Sequence, residues 1–202
     1  KPRRQQDIIE RMKIAANAGV VAFTIDLDSA GRAARATKGQ TVEPKTPEQL
    51  RELVKASPLP LFFKGILTTD EALLCLNAGA AGIVVSNHGG RVLADEPGTA
   101  EVLPAIADAI HGRCMILVDG CVKRGTDVEK YIALGADACL AGRHFVRGAH
   151  GALADGVELF ANTIRNELAV AMTLTGAAKV KDINRKMIRM TTPPPLAFGV
   201  PA

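Results

Sequence analysis

The chain has 202 residues, 48% hydrophobic and 3% aromatic, with a formal charge of +4 from 25 Lys+Arg against 21 Asp+Glu. That is enough apolar material for a sizeable core and excludes a wholly disordered chain. No apolar run reaches the roughly 18 residues of a membrane span, no signal-peptide pattern opens the chain, and scarce aromatics with mild, dispersed charge argue against nucleic-acid binding by stacking.

Lys1 is followed almost at once by a predicted helix, which reads as a fragment or a processed chain. The first strand is predicted at 20–26. A helix follows, opened by Thr46-Pro47-Glu48-Gln49, with Leu50, Leu53 and Val54 on one face. The second strand is 59–63, and the next helix opens at Thr68-Thr69-Asp70-Glu71, a second capping box. The third strand, 81–86, is apolar throughout, as in a parallel strand buried on both faces. A helix with Val102, Leu103, Ile106 and Ile110 on one face leads to a fourth strand at 115–119. Thr126-Asp127-Val128-Glu129 reads as a third capping box, before a fifth strand at 137–141. A long helical region at 152–176 and a short helix near 181–188 complete the ordered part, and 191–202 is a Pro-rich tail. The chain therefore divides into a barrel-like unit, 1–188, and a tail, 189–202.

Ala18-Gly19, Ala78-Gly79 and Leu134-Gly135 each place glycine just past a helix and shortly before a strand, a weak internal repeat of one βα unit. Strands alternating with helices imply parallel pairing through right-handed crossovers. Five such strands suit an open doubly wound sheet or part of a TIM (β/α)₈ barrel, which needs about 250 residues when whole.

In both architectures ligands bind where the strands end. Those ends read Thr24-Ile25-Asp26, Phe63-Lys64-Gly65, Ser86-Asn87-His88-Gly89-Gly90-Arg91, Asp119-Gly120 and Gly142-Arg143. Any strand must end in something polar, and Asp26 and Asp119 each also read as turn residues. All five ends together resemble a converging site. Lys64, behind an apolar triplet, needs a partner. Lys64 and Arg143 suit an anionic cofactor, Arg143 with the fork geometry that fits phosphate. His88, the imidazole among these groups, is the natural general base, with Asp26 able to fix its tautomer. Arg91 suits a substrate carboxylate. His111, His144 and His150 have no such context and read as exposed. Cys75, Cys114, Cys121 and Cys139 form no C-x-x-C pair and no metal-type spacing, so no metal is expected. Three of the four read as small core residues, in a reducing, cytoplasmic compartment.

These strand ends, with Gly82-Ile83-Val84-Val85 before the hexapeptide, Arg124-Gly125-Thr126-Asp127 and Leu134-Gly135-Ala136, resemble the FMN-dependent α-hydroxy-acid oxidases and dehydrogenases, the glycolate and L-lactate oxidase family. The resemblance runs from about Thr24 to Ile188, and it implies the C-terminal part, about five βα units, of a TIM barrel with FMN at its mouth. By this resemblance Lys64 would stabilise the reduced flavin at its N1/C2-oxygen edge, and Thr24 and Ser86 would hydrogen-bond the ring. Asp119, Gly120, Lys123, Gly142 and Arg143 would hold the ribityl chain and phosphate. His88, paired with Asp26, would be the base in oxidation of a small 2-hydroxy acid to the 2-oxo acid, and Arg91 would bind its carboxylate. Transfer to the flavin as hydride or through a carbanion fits equally.

The sequence departs from the family in three places. Cys121 and Lys123 stand where a glycine and an arginine are usual. A second substrate-binding arginine would align at Ala33, with Arg32 and Arg35 out of register. The N-terminal strands with their substrate-contacting tyrosines have no counterpart. Two alternatives therefore stay open: a non-catalytic or incomplete flavin-binding barrel fragment, and another FMN- or phosphate-binding barrel enzyme of the isomerase or nucleotide dehydrogenase type. The partners expected are a small 2-hydroxy acid and, with a full barrel, further copies of the chain, but neither nucleic acid nor membrane.

Overall fold

Five parallel strands, β1 (Phe23–Asp26), β2 (Leu61–Ile66), β3 (Gly82–Val85), β4 (Met115–Val118) and β5 (Ala138–Cys139), pair in chain order in a computed structural model that describes residues 1–31 and 42–190. A doubly wound sheet reverses direction at a switch point; this order never reverses, and it is the winding of a TIM barrel, of which the chain forms a part. Helices α1 (Gln5–Asn17), α2 (Pro47–Ala56), α3 (Thr69–Asn77), α4 (Thr99–Ile110), α5 (Gly125–Leu134) and α6 (Arg143–Thr175) fill the intervals. The core lies between them and the sheet, where Leu53, Phe63, Ile83, Val85, Leu103, Ile106, Ile110, Ile116 and Val118 are fully buried.

The repeated joints form as expected. Thr46 and Thr68 accept the backbone N–H of Gln49 and Glu71, whose side chains accept in return from the threonine backbone. Gly19, Gly79 and Gly135 end α1, α3 and α5 at φ of +84°, +89° and +114°, where a side chain would be strained.

Several expectations are corrected. β2 continues beyond Phe63 because Lys64 still pairs with Asp26 on one side and Val84 on the other. A bulge at Gly65, φ +94°, then brings Ile66 opposite Val85. β1 begins at Phe23, and Val20 and Val21 are exposed apolar residues before it. Thr126 does not cap α5. The helix starts at Gly125, and the Asp127 carboxylate accepts from the N–H groups of Lys123 and Arg124. Glu129 is buried and accepts from the Thr175 hydroxyl at 2.6 Å. α6 begins at Arg143, directly after the last strand, and is broken at Ala152–Leu153, where Leu153 has φ +49°. The short helix near 181–188 is two 3₁₀ turns, Val180–Asp182 and Arg185–Met187. Positions 32, 33 and 35 and the tail from 191 lie outside the described residues, so of the expected tail 189–202 only residues 189 and 190 are described.

Candidate functional site

Lys64 ties three strand ends together. Its Nζ donates to the Ser86 hydroxyl at 2.6 Å and meets Asp119 Oδ2 at 3.0 Å, with the lysine side chain 14% exposed. Ser86 is fully buried and also accepts the backbone N–H of His88 at 3.2 Å. A charge this sheltered is stable only when paired, and the pairing fixes the ammonium at the ends of β2, β3 and β4.

After β3 the backbone passes through three left-handed residues in a row, His88 at φ +51°, Gly89 at +67° and Gly90 at +68°. Glycine takes this conformation freely, whereas histidine takes it at a cost, a kind of strain concentrated at functional sites. The curl is held by Gly90 N–H to Asn87 O at 2.9 Å, Gly89 N–H to Asn87 Oδ1 at 2.9 Å, and Asn87 Nδ2 to Pro97 O at 3.1 Å. It turns the half-buried imidazole back toward β1. There His88 Nδ1 meets Asp28 Oδ2 within hydrogen-bond reach, while Nε2 lies 3.6 Å from Asp26 Oδ1. The three side chains bring one ligating atom each within 4.8 Å of one another. Lys1 pairs with Asp26. Burial alone would push the Asp26 carboxyl up, but Lys1, with His88 and Lys64 behind it, brings it below its ordinary value.

The loop after β4 is shaped from behind. The Thr99 hydroxyl donates to Asp119 O at 2.6 Å, and Tyr131 Oη donates to Gly120 O at 2.7 Å. Burial raises the Tyr131 phenol, which keeps it a donor. Gly120, φ +123°, has no room for a side chain against these two hydroxyls. Cys121 follows at φ +54°, a left-handed position that the family pattern gives to glycine.

Beside this loop opens a cavity of 460 Å³ lined by His88, Gly89, Arg91, Asp119, Gly120, Cys121, Lys123, Gly142, Arg143, His144 and Arg147, with Val122 and Leu140. Arg91 spends Nε on the His88 carbonyl at 2.9 Å, one of the five donors of a guanidinium. Among the described residues the cations Arg91, Lys123, Arg143 and Arg147 share the cavity wall with one carboxylate, Asp119, itself held by Lys64. Gly142 and Arg143 open α6 toward the same space, adding the positive end of the helix dipole. This donor set fits a phosphate, and so fits the phosphate end of FMN.

Of the residues expected from sequence, His88, Arg91, Asp119, Gly120, Lys123, Gly142 and Arg143 line the cavity. Asp26, Lys64 and Ser86 join through the contacts above. Thr24 is exposed on β1, opposite Phe62 in register. His144 is corrected: it is half-buried, forms part of the cavity wall and packs on Phe160 with ring centroids 5.6 Å apart. His111 and His150 are exposed, as expected. All four cysteines are free thiols; Cys75 is buried, Cys114 and Cys139 half-buried, and Cys121 exposed. Sequence reading missed Asp28, Arg147, and the pair Thr99 and Tyr131. Arg147 was detectable, since a helix starting at Arg143 places both arginines on one face at i and i+4.

A parallel barrel segment with a basic cavity at the C-terminal ends of its strands defines a cofactor-binding TIM-barrel protein. The chain belongs to the FMN-dependent dehydrogenase family, whose sequence profile matches residues 2–190. It is 42% identical over 154 residues to the L-lactate oxidase of Lactobacillus jensenii, covering 76% of this chain and 37% of that protein. It is 48% identical over 132 residues to an L-lactate dehydrogenase of Yersinia pestis, covering 65% of this chain and 35% of that one. Among solved structures, a mandelate oxidase superposes with a TM-score of 0.82 at 34% identity, over 91% of this chain and 59% of that one. A mandelate oxidase variant carrying a monooxide FMN adduct matches equally well, with a TM-score of 0.82 at 36% identity. The chain thus spans under two fifths of the curated relatives and about three fifths of the solved ones.

Proposed function

We propose that the protein containing this chain oxidises a small 2-hydroxy acid to the 2-oxo acid with FMN, and that the described residues supply its base, its cofactor-edge cation and its phosphate site. The observation that carries the reading is the join between two features. A histidine flanked by carboxylates stands one loop away from a buried lysine network, and both adjoin a cavity of suitable volume and charge.

When bound, FMN supplies the acceptor for the two electrons that leave the substrate. Arg143, Lys123 and the backbone around Gly120 and Gly142 hold its phosphate and ribityl chain, with Asp119 beside them. Lys64 presents its ammonium, preorganised by Ser86 and Asp119, to negative charge that develops at the strand ends. Ser86 and Thr24 are the ring's polar neighbours. Oxidation of a 2-hydroxy acid also releases two protons, and His88 takes one of them at a ring nitrogen. Asp26 balances the imidazolium that results. Arg91 keeps the terminal nitrogens of its fork for the substrate carboxylate.

No helix among the described residues is long and apolar enough to cross a membrane; a reducing compartment, which suits four free thiols, leads us to read the protein as cytoplasmic. It acts on a small molecule rather than nucleic acid, and as a homo-oligomer once the barrel is whole. A second reading, that the chain alone holds flavin without turnover, is favoured by the open edges of the five-stranded sheet.

One spectroscopic experiment separates these readings. Protein loaded with FMN should show flavin bands that bleach anaerobically with lactate, glycolate or mandelate. His88→Ala should abolish bleaching and retain the flavin. Flavin that stays oxidised with every acid supports the second reading, and a protein that takes up no FMN refutes both.

A further inference from the structure

A second cavity, of 710 Å³, is walled by the end of β2, the side of α2, the first turns of α3 and the segment after the hexapeptide. Among the described residues it shares no wall residue with the basic cavity beside Asp119. Its wall is largely apolar, with Leu27, Leu50, Ile66, Leu74, Val92 and Leu93 around it. A space of this volume and lining suits a small organic molecule better than a hydrated ion.

Four charged side chains, Asp28, Lys45, Glu71 and Glu96, enter that wall, and two of them are already satisfied. Lys45, its side chain buried, donates to Glu43 at 2.7 Å. Glu71 accepts the backbone N–H groups of Leu67 and Thr68 at 3.0 and 3.2 Å. Asp28 and Glu96 differ. Asp28 gives Oδ2 to His88, but its Oδ1 is buried without a hydrogen-bond partner, on a side chain that is 10% exposed. That oxygen lies against Gly65, which belongs to the same wall; a Cβ there would come 2.7 Å from it. Glu96 Oε2 is likewise buried and unpartnered. A buried carboxylate oxygen without a donor is costly, and the cost is relieved only when a donor arrives. Among the described residues three carboxylates against one lysine also leave this wall negative.

We propose that this cavity binds a small organic cation, in its simplest form an aliphatic diamine, with its methylene chain along Leu50, Ile66 and Leu74 and its ammonium groups on Asp28 Oδ1 and Glu96 Oε2. Each ammonium brings three donors and a charge, so it meets an orphaned carboxylate oxygen with the stronger, charge-assisted kind of hydrogen bond. The apolar wall selects the body of the ligand and the two oxygens select its ends. Because Asp28 Oδ2 already meets His88, an ammonium on Oδ1 shares its carboxylate with the imidazole.

Isothermal titration of the full chain with cadaverine, in amine-free buffer, reads the site directly. The wild type should bind cadaverine at a single site. Pentylamine, with one ammonium, should bind about tenfold more weakly, and neutral pentanol more weakly again. Glu96→Gln should bring the affinity for cadaverine down about tenfold, to that of pentylamine. Glu158→Gln, the same loss of charge on the exposed surface of α6, should leave it unchanged. A wild type that binds no amine overturns the proposal without any variant and leaves the two oxygens to water. Pentanol binding as tightly as cadaverine overturns it too, since the cavity would then select only an apolar body. Equal weakening by Glu96→Gln and Glu158→Gln would show attraction to charge at large and no site. Binding is read without turnover, so its failure leaves the functional reading standing, and a protein that oxidises no 2-hydroxy acid can still bind the diamine.

Discussion

Gly120→Ala probes the wall of the cofactor cavity, and the structure fixes the size of its effect. The glycine lies at φ +123°, a region that a side chain enters at a strain of about 1–3 kcal/mol. Its new Cβ would also overlap the Thr99 hydroxyl and come 3.0 Å from Tyr131 Oη. Those hydroxyls donate to the carbonyls of Asp119 and Gly120 at 2.6 and 2.7 Å. Moving them breaks two buried hydrogen bonds at a net cost of about 1 kcal/mol each. The sum, about 4 kcal/mol, corresponds to a fall in Tm of about 8–16 °C for a chain of this size.

Gly90→Ala is the matched control, because that residue is also left-handed, at φ +68°, and a methyl group there would meet nothing within 4 Å. Only the backbone term applies there, about 1 kcal/mol, or roughly 2–4 °C. Scanning calorimetry of both variants and of Thr99→Ala/Gly120→Ala measures the difference. The Thr99→Ala background should recover part of the loss, since the overlapping hydroxyl is gone. Equal shifts for Gly120→Ala and Gly90→Ala would refute the steric argument, as would strict additivity in the double variant.

Three further outcomes follow from the site. Lys64→Met should destabilise by about 2 kcal/mol, less than the loss for a fully buried pair because both partners keep some solvent. Lys64→Arg should not restore function, since a planar fork cannot replace a compact ammonium between Ser86 and Asp119; denaturant titration and flavin bleaching read the two effects. Cys75 and Cys139, whose thiols burial pushes up to about 12, should resist iodoacetamide at pH 8, whereas exposed Cys121 should react and be protected by FMN; peptide mass spectrometry showing Cys75 labelled first would count against this packing. Asp26 has a lowered carboxyl pKa when folded, against an ordinary value of 3.8, so its stabilising contribution is present above that ordinary value and fades as pH falls through the folded one. Melting curves from pH 5 to pH 2.5 should therefore show a smaller acid loss for Asp26→Asn than for the wild type, and identical slopes would contradict the Lys1 and His88 contacts.

Much of this architecture is legible in the sequence because its joints are local. Thr46 and Thr68 announce α2 and α3 through side chains three residues apart, and Gly19, Gly79 and Gly135 end helices wherever φ must be positive. Strand β3 is visible because every residue in it is apolar. The site is legible where a strand end carries unusual chemistry, as at Lys64 and His88. What stays hidden depends on distant chain. Asp28 lies in what reads as an irregular loop, and the bulge at Gly65 and the curl at His88 bring it to the imidazole. Lys64 reads as the residue after a strand, because hydrophobicity stops at Phe63, while the ladder continues on main-chain bonds that hydrophobicity does not report. Thr126 has the residue types of a cap, but packing overrides it: Gly125 N–H bonds Glu167 Oε2 at 2.8 Å, and a side chain at Gly125 would collide with the α6 backbone.

The same sheet that gathers the site also leaves it open. Parallel sheets are stable when both faces are covered, and here the face away from the helices is buried at β3, where Val84 is 1% exposed, but open toward the outer strands. Thr24 and Ala138 are exposed on it, Met115 is 47% exposed, and strands β1 and β5 each have one neighbour. Val21, Leu153 and Leu159 add apolar surface with 85%, 79% and 69% exposure. Surfaces of this kind bind apolar dyes and other chains. The 202-residue chain on its own should therefore enhance the fluorescence of anilinonaphthalene sulfonate and sediment as associated species at micromolar concentration. Charged substitutions at Met115 and Leu159 should reduce both signals without altering the Lys64 network, which lies at the other end of the strand. A dye-silent, monodisperse monomer with a sharp melting transition would show that five strands can stand alone, and the need for the rest of a barrel would fall with it.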